Sequence, residues 1–225
     1  MDELDIEAMA DRSDELMSAL LAVLTEGPDG YQTFDGEQRA ETSAAAAGLA
    51  LEHGSALRLL LRSHYAASGA AMLRMQFEGM VRSAWLLYAA TDLEVGLVQA
   101  PLNEEAERRA NSLPMFGLML KALEVKAPAR LFEDLQQIKA VLGRAMNSYV
   151  HSGIHAVNRH QFGFPIVLAR QVMASSNGIG TMAAMMLANL TGDSGRGAEI
   201  NRLIPAFADC LPQLLPRLAG QGTRP

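Results

Sequence analysis

In GRAMNSYVHSGIH, residues 143–155, an arginine, an asparagine, a tyrosine and two histidines interrupt a chain otherwise rich in Ala and Leu. Arg144 and His151 are seven residues apart, so two helical turns return them to nearly one face, with Asn147 between them on that side. A histidine moves protons near neutrality, an arginine stabilises charge developing on a phosphate, and an amide orients either group. Together they suit phosphodiester cleavage without a metal. The structural alternative is a polar last turn, where Arg and His meet free carbonyls and the negative end of the helix dipole.

Arg74, Glu78 and Arg82 recur every four residues, a polar line that drifts only about 40° per step along a helix. Buried and unpaired, such charges would cost several kcal/mol, so they are expected to pair with one another or with a neighbouring helix. Facing Arg144 and His151, the line would be an anion cradle. Facing elsewhere, it would be a structural ion-pair ladder. Tyr149 and His155 extend the polar set, while Trp85 and Tyr88 read as core or interface anchors.

His151 and His155 have the spacing of a helical metal pair, but Gly153 between them reads as the helix cap. No Glu-x-x-His motif and no cysteine cluster supplies further ligands, so neither a metal nor a cofactor is expected. Cys210 stands alone in an apolar segment and reads as a buried, inert thiol. The Gly-rich SNGIG and GDSGRG read as helix-capping turns, since neither follows a strand or ends in Gly-Lys-Ser/Thr.

The elements that must position these groups are helical throughout. Ala, Leu and Met supply most of the apolar mass, aromatics are 5%, and alternating β-branched runs are missing. The expected architecture is an all-α bundle of about six to eight helices, with a buried central helix near 66–90, because AASGAAMLRMQFEGMVRSAWLLYAA is apolar almost all round. An acidic helix within residues 1–30, running from about Asp2 to Thr25, opens the chain with a solvated acidic face. A second follows from Glu37 to about His64, broken near Gly54-Ser55. Shorter helices cover Leu93 to Gln99, NEEAERRA and the segment from Pro114. Pro128 starts a long helix that ends at Gly153. HAVNRHQFGF then reads as a loop in which His155, Arg159 and His160 line a cleft or are solvated. Pro165 opens a helix pair, or one kinked helix, around SNGIG. A final helix, Ala198 to Leu218, is broken up by prolines. One domain spans 1–219, and 220–225 form a disordered tail.

The lone cysteine suits a reducing, cytoplasmic compartment, and the acidic start is unlike a signal peptide. The longest uncharged stretch, Gln171 to Gly192, is too polar for a membrane span. Residues 1–30 hold nine acids, leaving a mildly basic body, and sixteen of the nineteen basic residues are Arg. Arg suits buried pairing and bidentate phosphate contacts, but the overall field is not that of a duplex-DNA binder.

The Arg, six residues, then His, with a polar residue between, resembles the R-x(4–6)-H motif of the HEPN superfamily. The resemblance implies a helical bundle, commonly a homodimer, whose Arg and His face a cleft at the dimer interface. It implies metal-independent RNA cleavage with the 2′-hydroxyl as nucleophile, in toxins or antiviral factors. Carried over, Arg144 stabilises the phosphate and His151 handles the proton. Asn147 departs from the commonest form, in which the polar residue directly follows the Arg. Arg58 and His64 also fit the loose spacing. The R-x-x-x-F-E-x-x-V-R-x-x-W and Y-V-H-S-G segments resemble uncharacterised bacterial helical proteins. Small-residue faces in AAAAGLA and SGAAM permit a homodimer. The resulting expectation is an endoribonuclease. The alternative is a non-catalytic helical module that binds a partner protein or a small anionic ligand through its Arg-rich strip.

Overall fold

The computed structural model describes residues 3–27, 30–34 and 37–212, without the side chains of residues 3, 4 and 144. Every regular element among them is helical: α1 (Glu3–Thr25), α2 (Gln38–Arg62), α3 (Ala66–Tyr88), α4 (Asp92–Gln99), α5 (Glu104–Ala110), α6 (Phe116–Lys126), α7 (Ala129–Val150), α8 (Ile154–Phe162), α9 (Ile166–Leu190), α10 (Ser194–Leu203) and a 3₁₀ turn, Ile204–Phe207. The all-α class is as the composition predicts. The helix count among the described residues exceeds six to eight, and α8 stands where a loop is expected. None of these helices is long and apolar enough to cross a membrane.

The centre is built on α3, which packs against α2, α6, α7 and α9 and buries Leu73, Phe77, Met80 and Trp85. Its small residues let α2 approach closely. A Cβ at Gly79 would lie 3.3 Å from the backbone N and Cα of Ala50, so a larger residue there must push the two helices apart. Ala46, Ala47, Ala50, Gly69 and Ala70 are buried in the same way. The small-residue faces of AAAAGLA and SGAAM are thus partly used inside the chain, while Ala45, Gly48 and Ser68 remain exposed. Ser43 and Ser83 tie the hairpin further, with the Ser43 hydroxyl donating to the Ser83 carbonyl at 2.9 Å.

The expected break near Gly54-Ser55 is absent, and of the two readings around SNGIG the structure has a single helix rather than a pair. Gly54, Gly178 and Gly180 each cost about 1 kcal/mol of helix propensity, too little to interrupt long helices held by buried faces. Accordingly α2 and α9 run through them. The final helix stops earlier than expected, at Leu203, where Pro205 opens the 3₁₀ turn. The expected end of that helix at Leu218 and the 220–225 tail lie outside the described residues.

The acidic face of α1 is not merely solvated. Arg62 of α2 reaches Glu7, Asp11 and Asp14 at 3.3, 2.5 and 3.0 Å, and the buried Arg58 meets Asp14 at 2.7 Å. Asp5 pairs with Arg170 of α9 at 2.8 Å. Elsewhere Arg39 donates to the carbonyls of Leu86 and Ala90, capping the C-terminus of α3, and meets Asp92 at 2.6 Å. Arg196 donates to the carbonyls of Leu24 and Glu26. Much of the arginine content is therefore spent on joints between helices, which suits a planar, multiply donating side chain.

Candidate functional site at the α7 and α8 corner

One stripe of α7 faces inward: Leu135, Met146 and Tyr149 are buried, with Ile138 and Leu142 packed beside them. That stripe lies against α3. At 100° per residue, Asn147 and His151 fall on roughly the opposite side of the helix, and both are exposed. Position 144 has the same helical phase, and its side chain lies outside the described residues. Asn147 and His151 therefore share an outward face, as their spacing predicts, and that face is turned away from α3.

The polar line on α3 is placed differently. Arg74 pairs with Glu78 at 2.7 Å, their side chains being 14% and 43% exposed, so the pair lies toward solvent rather than sealed in the core. The Arg74 guanidinium also stacks 4.1 Å from the ring centroid of Phe116 in α6, and Phe116 meets Phe77 edge-on at 5.5 Å. Arg82 makes no ion pair with Glu78 among the described residues, so the expected ladder has one rung there. These contacts fasten α6 to α3. No hydrogen bond or ion pair joins Arg74, Glu78 or Arg82 to His151 among the described residues.

The corner after α7 is more ordered than the sequence suggests. His151, not Gly153, is the C-terminal cap, and the Gly153 N–H returns to the Ser148 carbonyl at 2.7 Å. This is the six-to-one bond of a Schellman motif, which requires the intervening residue, Ser152, in the left-handed region at φ 51°. Gly153 instead caps the N-terminus of α8. A Cβ there would sit 2.7 Å from the Ser148 hydroxyl, which accepts the His155 N–H at 2.9 Å. The segment read as a loop is thus a helix whose first turn is held by a side chain of the helix before it.

Tyr149 is the anchor of this corner. Its ring centroid lies 5.9 Å from that of Phe164 and 6.5 Å from that of His155. Burial pushes its phenol above the usual tyrosine range, partly opposed by the charge of Arg159 and a hydrogen bond to it. His155 and His160 are exposed and Arg159 is half-buried. No group of three or more His, Cys, Asp or Glu side chains able to hold a metal occurs among the described residues. Cys210 is buried, and burial followed by the charge of Asp209 raises its thiol above the ordinary range. The other loose Arg-and-His pair is differently engaged, since Arg58 belongs to the joint with α1 and His64 lies in the α2 to α3 turn at φ 64°.

The sequence reading missed one electrostatic feature, visible by simple inspection: no Asp or Glu occurs between Asp134 and Asp193. The stretch includes Lys139, Arg144, Arg159, Arg170 and three of the five histidines. The part of α7 after Asp134 and the whole of α8 therefore contribute no carboxylate to their corner. The two described surface hollows lie elsewhere, one lined by Glu104, Glu107, Arg108 and Asn111 and the other by Glu37, Gln38, Arg39, Asp92 and Val95.

These features define an all-α bundle with a histidine-bearing corner between α7 and α8. The chain belongs to the family described as a family of unknown function (DUF6988), whose model matches residues 47–213. That span begins within α2 and takes in both α3 and the α7 and α8 corner. No curated protein and no solved structure matches the chain.

Proposed function

We propose that the outward face of α7 acts on RNA phosphodiesters, as a metal-independent endoribonuclease of the HEPN type. The observation that carries this reading is the open presentation of His151 and Asn147 on one helical face within a stretch that has no carboxylate. A carboxylate on this stretch would repel a polyanion, and the stretch contributes none. In the proposed chemistry His151 takes the 2′-hydroxyl proton, the 2′-oxygen attacks the adjacent phosphorus, and the 5′-oxygen of the next nucleotide leaves as a hydroxyl, taking its proton from water. Arg144 offsets the charge that develops on the phosphoryl oxygens, and Asn147 orients the phosphate. Tyr149 supports the site by fixing the corner, with His155 beside it. A second copy of the chain would supply the opposite wall of a cleft.

The competing reading is a helical module that binds an anionic partner without cleaving it. Two observations favour it: the Arg74 guanidinium is held by Glu78 and Phe116, and the His151 imidazole has no hydrogen-bond partner among the described residues. Incubation of the purified chain with mixed RNA in the presence of a chelator separates the two. The nuclease reading requires cleavage that survives chelation and falls roughly 10²–10⁴-fold in His151→Ala, the usual loss of a general acid or base. Retention of RNA by the chain with every strand intact assigns the corner to binding alone.

A further inference from the structure

We infer that the interior binds a water molecule where α3 meets α2 and α9, held between the Gln76 amide oxygen and the Ser176 hydroxyl. Gln76 and Ser176 are each only 1% exposed. The Gln76 Nε2 donates to the Ser176 carbonyl at 3.0 Å. The Gln76 Oε1 and the Ser176 Oγ, by contrast, have no hydrogen-bond partner among the described residues. The two side chains meet beside Gly54 of α2, where a Cβ would lie 2.6 Å from Gln76 Nε2 and 3.4 Å from Ser176 Oγ. Two buried polar groups that lack partners thus share one neighbourhood, at a point where the α2 backbone carries no side chain.

Reorienting the side chains does not supply the missing partners. Exchanging the oxygen and nitrogen of the Gln76 amide would set Oε1 against the Ser176 carbonyl, acceptor against acceptor. Swinging the Ser176 hydroxyl onto a carbonyl of its own helix would satisfy that hydroxyl and still leave Oε1 without a donor. A buried amide oxygen left in that state is costly, and folded chains meet such deficits with internal water. Water suits this pair because it donates to Oε1 and can either accept from Oγ or donate to it. A metal cation does not, since both groups are neutral and an uncompensated charge in an apolar interior costs far more than a bare carbonyl. Asn177, the next residue of α9, repeats the pattern. Its Nδ2 donates to Ser13 Oγ of α1 and to the Cys210 carbonyl at 2.8 and 2.9 Å, while its Oδ1 has no partner among the described residues. The water site therefore belongs to a polar seam along α9. It concerns the interior and stands apart from the RNA reading.

The test is a crystal structure of the full chain fine enough to show ordered water, paired with oxygen-17 magnetic relaxation dispersion. The latter registers water held inside a protein for longer than the protein takes to tumble. The comparison is Gln76→Met/Ser176→Ala, which removes both polar partners without adding bulk and whose fold is checked by thermal melting. The expected result is a density peak within about 2.7–3.2 Å of both Gln76 Oε1 and Ser176 Oγ. The dispersion amplitude should fall by about one water in the double variant. A Ser176 hydroxyl bonded directly to Gln76 Oε1, or a map with no peak beside Oε1, overturns the proposal. So does a peak whose short contacts identify a metal ion, or an amplitude unchanged in a folded double variant. Should that variant fail to fold, the crystal structure of the parent chain decides alone.

Discussion

Ser152 adopts a left-handed conformation that an L side chain disfavours, because the Schellman turn after α7 places its special position there and not at Gly153. Ser152→Gly should therefore stabilise the chain by about 0.5–1 kcal/mol, read as a shifted midpoint in urea unfolding. An unchanged or lower midpoint would show that the corner is not strained as described. A second residue-scale effect concerns pH. Burial holds the Tyr31 phenol up to about 12 against an ordinary 10.0, and its hydroxyl donates to the Leu187 carbonyl at 3.2 Å. Between those values the folded chain keeps a proton that the unfolded chain releases, so stability falls as pH rises. The contribution is complete below about pH 10 and is lost through about pH 12. Tyr31→Phe should flatten that decline, measured as the unfolding midpoint against pH.

The helices themselves are joined by charge as well as by apolar burial. At the seam of α1 and α2, Arg58 is buried and held by Asp14, whereas Arg62 meets three carboxylates close to solvent. Removal of Arg58 takes away a buried, charge-assisted hydrogen bond, so Arg58→Ala should cost about 1–3 kcal/mol. Arg62→Ala should cost less than about 1 kcal/mol, an effect that shrinks as salt screens the exposed partners. Denaturant titrations at low and high ionic strength would separate them, and equal, salt-independent losses would refute the distinction. This seam also shows what a sequence discloses about its elements. The apolar run of α3 and the proline and caps around α7 announce themselves through local composition. The partners of the acids in α1 do not, since Arg58 and Arg62 are far along the chain. Nor does α8, whose apolar residues point outward and so give no inward-facing periodicity, and whose first turn depends on Ser148 in another helix. The phase of Asn147 and His151 was legible because it is local geometry. The engagement of Arg74 with Glu78 and Phe116 was not, because it depends on which helix packs beside α3.

For the whole molecule, the decisive contrast is between a body in which arginines lock helices together and a corner whose polar groups are left to solvent. Arg12, for instance, spans Glu15, Asp209 and the Ala206 carbonyl while stacking on Phe207, whereas Asn147 and His151 stay exposed. Structural use explains the first group and leaves the second available for function. The proposed reaction fixes what the corner must produce: attack by a 2′-hydroxyl leaves a 2′,3′-cyclic phosphate on one fragment and a 5′-hydroxyl on the other. The most direct measurement is mass spectrometry of the fragment ends from a single-stranded RNA oligonucleotide treated in chelator, beside the same sequence made of 2′-deoxynucleotides. The account predicts cyclic phosphate ends from the RNA, an intact deoxy strand, and loss of both products in His151→Ala. An uncut RNA, 3′-hydroxyl ends, or equal cleavage by His151→Ala would contradict it.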